Sequence, residues 1–338
     1  MALETIDLIR APLADEFSRP ITYLRVSVTD KCNLRCVYCM PSEGLPWLAK
    51  PDVLSYEEIV QIVAAAAAVG VRSIRLTGGE PLVRRDLAVL VRGISAIDGI
   101  DDLCLSTNGI LLAEQLDELM AAGLRRVNIS LDTLREDRFF EIARRPGLDR
   151  VLGSIDAAVA AGLSPIKINC VVMRGHNEDE VADLAALSID RPVHIRFIEV
   201  MPVLENLAMQ SAGYISADEI LDLARSRGRL EPAIGPAGNG PARYFAFEGA
   251  LGSVGVISPL SHDYCDRCNR VRLTADGKLR LCLFGDQHVD LRSPVRAGAS
   301  SEELIGLLRA SMGIKPERHH LKLGEASSRM RAFSEIGG

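Results

Sequence analysis

The sequence predicts an α/β fold in which parallel strands joined by helical crossovers curl toward a complete or partial barrel. Two observations predict it. Six short runs rich in Val, Ile and Leu are each followed by a segment of helical period. The chemically unusual residues fall just after those runs, where a barrel of parallel strands keeps its reactive groups.

The runs are Tyr23 to Thr29, Ser73 to Thr77, Leu103 to Thr107, Arg126 to Leu131, Ile166 to Met173 and His194 to Val200. A cysteine triplet follows the first, Gly78-Gly79-Glu80-Pro81 the second and Asn108-Gly109 the third; Asp132 near the fourth and Met201-Pro202 after the sixth continue the pattern. The crossover helices carry their own punctuation. Ser55 and Glu58 are spaced as a capping box, and Gly70, Gly123 and Gly162 stand where helices should stop. From about Gly228 to Gly255 Gly and Pro dominate and the helical period disappears, which places a boundary near residues 205 to 235. Short strands, a second cysteine group and a last helix from about Glu302 to Met312, capped by Ser300 and Glu303, are expected beyond it. The organisation is therefore an N-terminal extension (1–21), a barrel region (22–225) and a C-terminal region (226–338).

A chain of 338 residues with 48% hydrophobic content can bury a full core. No secretory signal is read near the N-terminus. The longest apolar stretch, Ile62 to Val69, falls far short of the roughly 20 residues that span a bilayer. Eight cysteines in such a chain read as thiols kept reduced in a cytoplasm, not as a disulfide framework. Cys104 and Cys170 lie in apolar strand-like runs and are expected in the core. The formal net charge of −6 gives no general attraction to nucleic acid or an anionic membrane. A polyanionic ligand must then be met by a local basic cluster.

Cys32, Cys36 and Cys39 supply three thiolates within one loop, a set suited to a small inorganic cluster. A four-iron cluster held by three cysteines keeps one iron without a protein ligand, open to bind and activate something else, as a catalytic zinc keeps an open position. Zinc itself is the alternative, but a structural zinc wants four protein ligands and no fourth Cys or His lies nearby. Cys265, Cys268 and Cys282 form a second triplet with the same logic; a zinc site completed by His262 or His288 is its alternative. Arg267, Arg270, Arg272, Lys278 and Arg280 surround that triplet. Arg270 and Arg272 alternate on one strand face, and arginine pairs bidentately with phosphate, so they are candidates for a triphosphate or other polyanion.

The first triplet, with Tyr38 before its third cysteine, resembles the signature of the radical S-adenosylmethionine superfamily. The resemblance narrows to the GTP 3',8-cyclase (MoaA) family of molybdenum cofactor biosynthesis. It is carried by Arg25 to Cys39, Arg75 to Leu82 with Arg84-Arg85-Asp86, Ser106 to Gly109, the second triplet with Asn269 to Arg272, and the terminal Gly337-Gly338. It implies an incomplete (β/α)6 TIM-like barrel whose C-terminal extension carries a second iron-sulfur site. It also implies two [4Fe-4S] clusters, on Cys32, Cys36 and Cys39 and on Cys265, Cys268 and Cys282, with S-adenosylmethionine chelated at the first and guanine bound at the second. In the family one electron from the first cluster releases a 5'-deoxyadenosyl radical that takes hydrogen from C3' of GTP; the ribose carbon then bonds to C8.

Position by position, Tyr38, Gly79, Ser130 and Met201 match residues that contact S-adenosylmethionine. Arg25, Arg75, Ser106, Lys167, Arg270, Val271 and Arg272 match those that contact GTP, and Gly337 and Gly338 match a tail needed for catalysis together with Arg270 and Arg272. Implied partners are an electron donor and the cyclic pyranopterin monophosphate synthase that takes the product, with no nucleic acid or membrane, in a monomer or homodimer. Position 106 is Ser here where many members have Thr, which keeps the hydroxyl. A two-cluster enzyme of the same superfamily modifying RNA or a peptide is the alternative activity, although RNA work calls for a broad basic surface. An electron carrier or zinc scaffold is the alternative without catalysis.

Overall fold

The computed structural model describes residues 12–201, 212–321 and 332–336. Six parallel strands form the centre: β1 (Tyr23–Ser27), β2 (Ser73–Thr77), β3 (Asp102–Thr107), β4 (Arg126–Ser130), β5 (Ile166–Val172) and β6 (Val193–Glu199). These are the six expected runs, each within two residues of the expected ends. They lie in chain order, β1 to β6, and each pairs in parallel with the next. The crossovers are α1 (Tyr56–Ala68), α2 (Leu87–Ser95), α3 (Leu112–Ala121), α4 (Glu136–Ala143), α5 (Leu148–Ala160) and α6 (Val181–Asp190).

Local chemistry explains the ends. Ser55 Oγ accepts from Glu58 N and the Glu58 carboxylate accepts from Ser55 N at 2.7 Å, the full capping box at α1. Gly70, Gly123 and Gly162 all have positive φ at helix exits. One helix escaped the sequence reading: α7 (Ala217–Arg225), capped by Ser216, falls inside the span assigned to the boundary.

The C-terminal region completes the same sheet from both edges. Strands β7 (Leu230–Pro232), β8 (Arg243–Phe247) and β9 (Ser253–Ile257) extend it beyond β6, with β9 parallel to β6. Strands β10 (Arg270–Leu273), β11 (Lys278–Arg280) and β12 (His288–Asp290) extend it beyond β1, with β10 parallel to β1. The short α8 (Arg292–Arg296) and the expected last long helix, α9 (Ser301–Met312), pack on α1, and α9 starts at a Ser300–Glu303 capping box. A one-turn α10 (Phe333–Ile336) ends the described chain.

Each central strand alternates in sequence. Leu24, Val26, Ile74, Leu76, Val127, Ile129, Ile166, Ile168, Ile195 and Phe197 are all fully buried in the main apolar core that includes the helices. Their neighbours on the opposite face are polar, from Arg25 and Arg75 to Asn128, Lys167 and Arg196. Parallel strands covered on both faces usually read as continuous apolar runs, and barrel interiors are usually filled by branched aliphatic residues. Here the interior is built for a polar occupant.

Among the described residues no helix is long and apolar enough to cross a membrane. Cys104 and Cys170 are buried, as expected of core residues.

Candidate active site

The first cysteine loop leaves the C-terminal end of β1 and is pinned on three sides. Arg35 N and Val37 N donate to the carbonyls of Ala143 and Ile142 at the end of α4, both at 2.9 Å. Gly79 N and Glu80 N donate to Thr29 O and Lys31 O, both at 2.8 Å, prolonging the β1–β2 pairing. Tyr38 OH donates to Asp132 Oδ2 at 2.8 Å, while Asp132 Oδ1 accepts from Val171 N at 2.8 Å, so the loop is tied across to β5. The two glycines are required by this packing. A Cβ on Gly79 would lie 2.4 Å from Lys31 O, and one on Gly78 would lie 2.5 Å from Thr29 O. Within the chain, the backbone they approach is that of the cysteine loop.

Burial pushes the Cys32 thiol up to about 11 and that of Cys39 to about 12, and raises Cys36 as well. Free thiolates are disfavoured here by burial, and a bound metal would supply the compensating charge, while three thiols on one loop supply the ligands. The donor set therefore fits iron. Asn108 Nδ2 approaches Cys32 Sγ at 3.9 Å and donates to Asn33 Oδ1 at 2.7 Å, and Leu34 N donates to the same sulfur at 3.4 Å.

These cysteines open on a cavity of about 220 Å³. Its lining brings together Tyr38, Gly79, Ser130 and Met201, all four residues matched to S-adenosylmethionine, with Arg25 and Ser106 from the GTP set. Leu34, Phe139, Ile142 and Phe333 give it an apolar wall. Phe333 and Ser334 come from α10, whose Ile336 is buried in a small cluster beside Cys39, Met201, Leu283 and Phe284. The C-terminal segment thus reaches the site; Gly337 and Gly338 lie outside the described residues.

Behind the cavity the barrel interior is cationic. Arg272, Arg25 and Arg75 stand in register on β10, β1 and β2, on one face. Burial, with Arg272 and Arg75 beside it, holds the Arg25 guanidinium well below its usual value. Burial and Arg270 lower Arg272 to about 10. Lys167 is lowered to about 7 by burial and by Arg196, Arg126 and Arg75. With its carboxamide turned over, Asn128 presents its oxygen to the guanidinium groups of Arg75 and Arg196. Lys167 Nζ donates to Ala237 O at 2.6 Å and Arg126 Nη1 to the same oxygen at 3.2 Å, so the loop between β7 and β8 caps the interior. Val271, between the two arginines, is buried in the apolar core.

Arg126, Asn128, Asn169 and Arg196 went unnoticed in the sequence. The period-2 alternation of β4, β5 and β6 was the signal that could have found them. Asp132 was noticed only by its position; its bond to Tyr38 joins residues 94 apart.

The second triplet sits at the entry to β10 and the exit of β11. Cys265 and Cys268 share one turn, with Cys268 N donating to Cys265 O at 3.1 Å. Burial raises Cys265. Cys268 is half-buried, yet Lys315 and Arg270 outweigh the desolvation and hold its thiol below the usual value. The cations around this triplet divide. Arg270 and Arg272 join the interior group, whereas Arg267 is exposed and Lys278 pairs with Asp276 at 2.8 Å. His262 pairs with Asp218 at 2.9 Å, and His288 is exposed with Nδ1 2.8 Å from Asp286 O. Among the described residues no three Cys, His, Asp or Glu side chains converge on the position of one metal ion.

Comparison with known proteins agrees with this geometry. Residues 26–187 match the model of the radical SAM superfamily, and residues 193–321 match that of Molybdenum Cofactor Synthesis C. The GTP 3',8-cyclase of Pelotomaculum thermopropionicum is 49% identical over 327 residues, covering 96% of this chain and 100% of its own. That of Moorella thermoacetica is 48% identical over 326 residues, with 96% and 100% covered. Among solved structures, Streptococcus suis SuiB bound to S-adenosylmethionine matches with a TM-score of 0.62 at 14% identity, over 91% of this chain and 71% of that one. At that identity it speaks for the fold alone.

Proposed function

The chain belongs to the GTP 3',8-cyclase family of the radical S-adenosylmethionine superfamily, and from that premise we propose how its own residues divide the work. It is an enzyme of molybdenum cofactor biosynthesis that converts GTP to the 3',8-cyclised dihydroguanosine triphosphate. The observation that carries the assignment of residues is the continuity of the cysteine-lined cavity with a buried cationic interior, in a chain whose net charge is −6.

Cys32, Cys36 and Cys39 hold the first [4Fe-4S] cluster, and Tyr38, Gly79, Ser130 and Met201 form the walls that receive S-adenosylmethionine beside it. When bound, this pair supplies one-electron chemistry able to take a hydrogen atom from a ribose carbon. The protein's part is to position and exclude. Asp132 fixes the Tyr38 ring, and Glu80, buried and raised to about 7 by its burial, ties the loop after β2 to Thr107 and Asn108 after β3. Leu34, Phe139, Ile142 and Phe333 keep water from a reactive centre.

Arg25, Arg75, Lys167, Arg270 and Arg272 bind the triphosphate, with Arg196 and Asn128 beside them. Guanidinium groups at fixed strand positions suit that task, since each can offer two parallel donors to phosphate oxygens. Ser106, at the cavity end of β3, lies between the two subsites. Cys265, Cys268 and Cys282 would hold a second [4Fe-4S] cluster able to bind the guanine, and α10 brings the C-terminal segment to the cavity wall. The reaction needs a one-electron donor and a reducing compartment such as the cytoplasm, and its product passes to the cyclic pyranopterin monophosphate synthase. The RNA- or peptide-modifying alternative is not favoured, because relatives matched over their full length are GTP 3',8-cyclases.

The test is anaerobic reconstitution with iron and sulfide, followed by S-adenosylmethionine, dithionite and GTP. Mass spectrometry should find 5'-deoxyadenosine together with a cyclised isomer of GTP. Deoxyadenosine without a GTP isomer would send the substrate question back to RNA or peptides.

A further inference from the structure

Two buried cations grip the second cysteine group, and neither was marked by motif or composition. Lys315, 4% exposed, lies just past α9. Its ammonium reaches the sulfur of Cys268 at 3.6 Å, the carbonyl of Arg270 at 3.2 Å and the carbonyl of Leu281 at 2.6 Å. Arg270 follows Cys268 into β10, and Leu281 immediately precedes Cys282 beyond β11. One ammonium therefore spans both loops that carry the thiols.

Arg19 braces the same region from the opposite end of the chain. Its Nε donates to buried Asp15 at 2.7 Å, and its Nη atoms donate to Cys265 O and Glu317 O at 2.6 Å and to Pro316 O at 2.8 Å. The stretch 315–317 is thus held at its backbone by Arg19 while its lysine holds the cysteine loops. A buried ammonium surrounded by carbonyls calls for negative charge nearby. The thiolate of Cys268 is where that charge can stand.

We propose that Lys315 is a positioning residue for the second cluster, fixing the spacing of the Cys268 and Cys282 loops and raising the cluster's reduction potential through N–H···S donation from a full positive charge. The inference rests on the reading of Cys265, Cys268 and Cys282 as cluster ligands. Hydrogen bonds to cluster sulfurs and nearby net charge set such potentials. A fixed cation favours the reduced state because reduction adds negative charge.

The test uses the full chain with Cys32, Cys36 and Cys39 replaced by Ala, so that only the second triplet can load. Iron per chain is counted after anaerobic reconstitution, and the midpoint potential is read by a redox titration followed by electron paramagnetic resonance. Lys315→Met should lower the potential, making the reduced-to-oxidised ratio at a fixed potential roughly tenfold smaller, about 59 mV for one electron. Lys315→Arg, which keeps charge and donors, should stay near the parent. If Lys315→Met instead loses iron and Lys315→Arg restores it, the spacing role is supported. Unchanged loading and potential in Lys315→Met would overturn the proposal, as would equal loss of iron in both variants. A parent that binds no iron at all would fail earlier, on the cluster reading itself.

Discussion

Lys167 has an ammonium buried among guanidinium groups, with a backbone carbonyl, Ala237 O, as its acceptor. Burial and then Arg196, Arg126 and Arg75 bring it to about 7, so it is largely neutral at pH 8 and charged at pH 6. A triphosphate placed beside it reverses the sign of the local field and returns it toward the ordinary lysine value. GTP binding should then take up as much as about one proton at pH 8, and progressively less as pH falls below 7. Calorimetry in buffers of different ionisation enthalpy reads this directly, and Lys167→Met should abolish the difference. Equal uptake in both proteins would remove Lys167 from the phosphate subsite. At this scale the sequence was half legible. The cysteines declared themselves because thiol spacing is rare and chemically specific. Arg126 and Arg196 did not, because a lone arginine in a strand reads the same whether it points to solvent or into a barrel. Alternation along β4 and β6 sets them opposite the apolar face, and the sheet register then puts Arg126 on one face with Arg75, and Arg196 in the same interior.

Strands and helices were legible because their signals are local. Alternation, capping boxes and exit glycines all act within a few residues, and the six strands appeared where the apolar runs stood. The connections between elements are another matter, since they depend on buried carboxylates whose partners lie far away in sequence. Glu180, before α6, accepts from Thr133 Oγ1 at 2.7 Å, Leu134 N at 2.8 Å and Arg138 Nη1 at 2.9 Å, holding the β4–α4 loop. Glu199, at the end of β6, accepts from Ala217 N and Leu260 N at 2.9 Å and from Ser261 N at 3.1 Å, joining α7 to the approach to the second triplet. Glu80 makes the equivalent stitch between β2 and β3. The mouth of the barrel is therefore fastened by carboxylates placed between successive loops. Glu180 is the cleanest to test because it does not line the cavity. Glu180→Ala leaves a backbone N–H and a hydroxyl without their acceptor, while Arg138 keeps its pair with Asp179, and should cost about 2–4 kcal/mol. Urea unfolding of the metal-free protein measures it, with Glu180→Gln expected to lose less; a cost below about 0.5 kcal/mol would show that water replaces the carboxylate freely.

Over the whole molecule, an excess of negative charge surrounds a cationic interior, and one sheet carries both cysteine groups. The boundary expected near residues 205 to 235 separates two stretches of sequence, yet β9 and β10 from beyond it pair in parallel with β6 and β1. Composition registers where helical period stops; it cannot register that later strands return to both edges of an earlier sheet. The extension at the N-terminus, which carried no motif, joins the same structure through Leu13 in the core and Arg19 at Cys265. A chain ending after residue 201 tests how far these parts depend on one another. Its β1 and β6 would each become an edge, long and flanked by apolar residues, with unpaired N–H and C=O groups. The interior guanidinium groups would also lose the cover of the β7–β8 loop, which gives Ala237 O to both Arg126 and Lys167. The truncated chain should therefore associate or precipitate, and its thermal unfolding should lose the cooperativity of the full chain. Size-exclusion chromatography and circular dichroism would decide it: a soluble monomer with a sharp transition would make the C-terminal region an appended domain, and its absence of effect on β1 and β6 would mean that the barrel strands hold their places by helix packing alone.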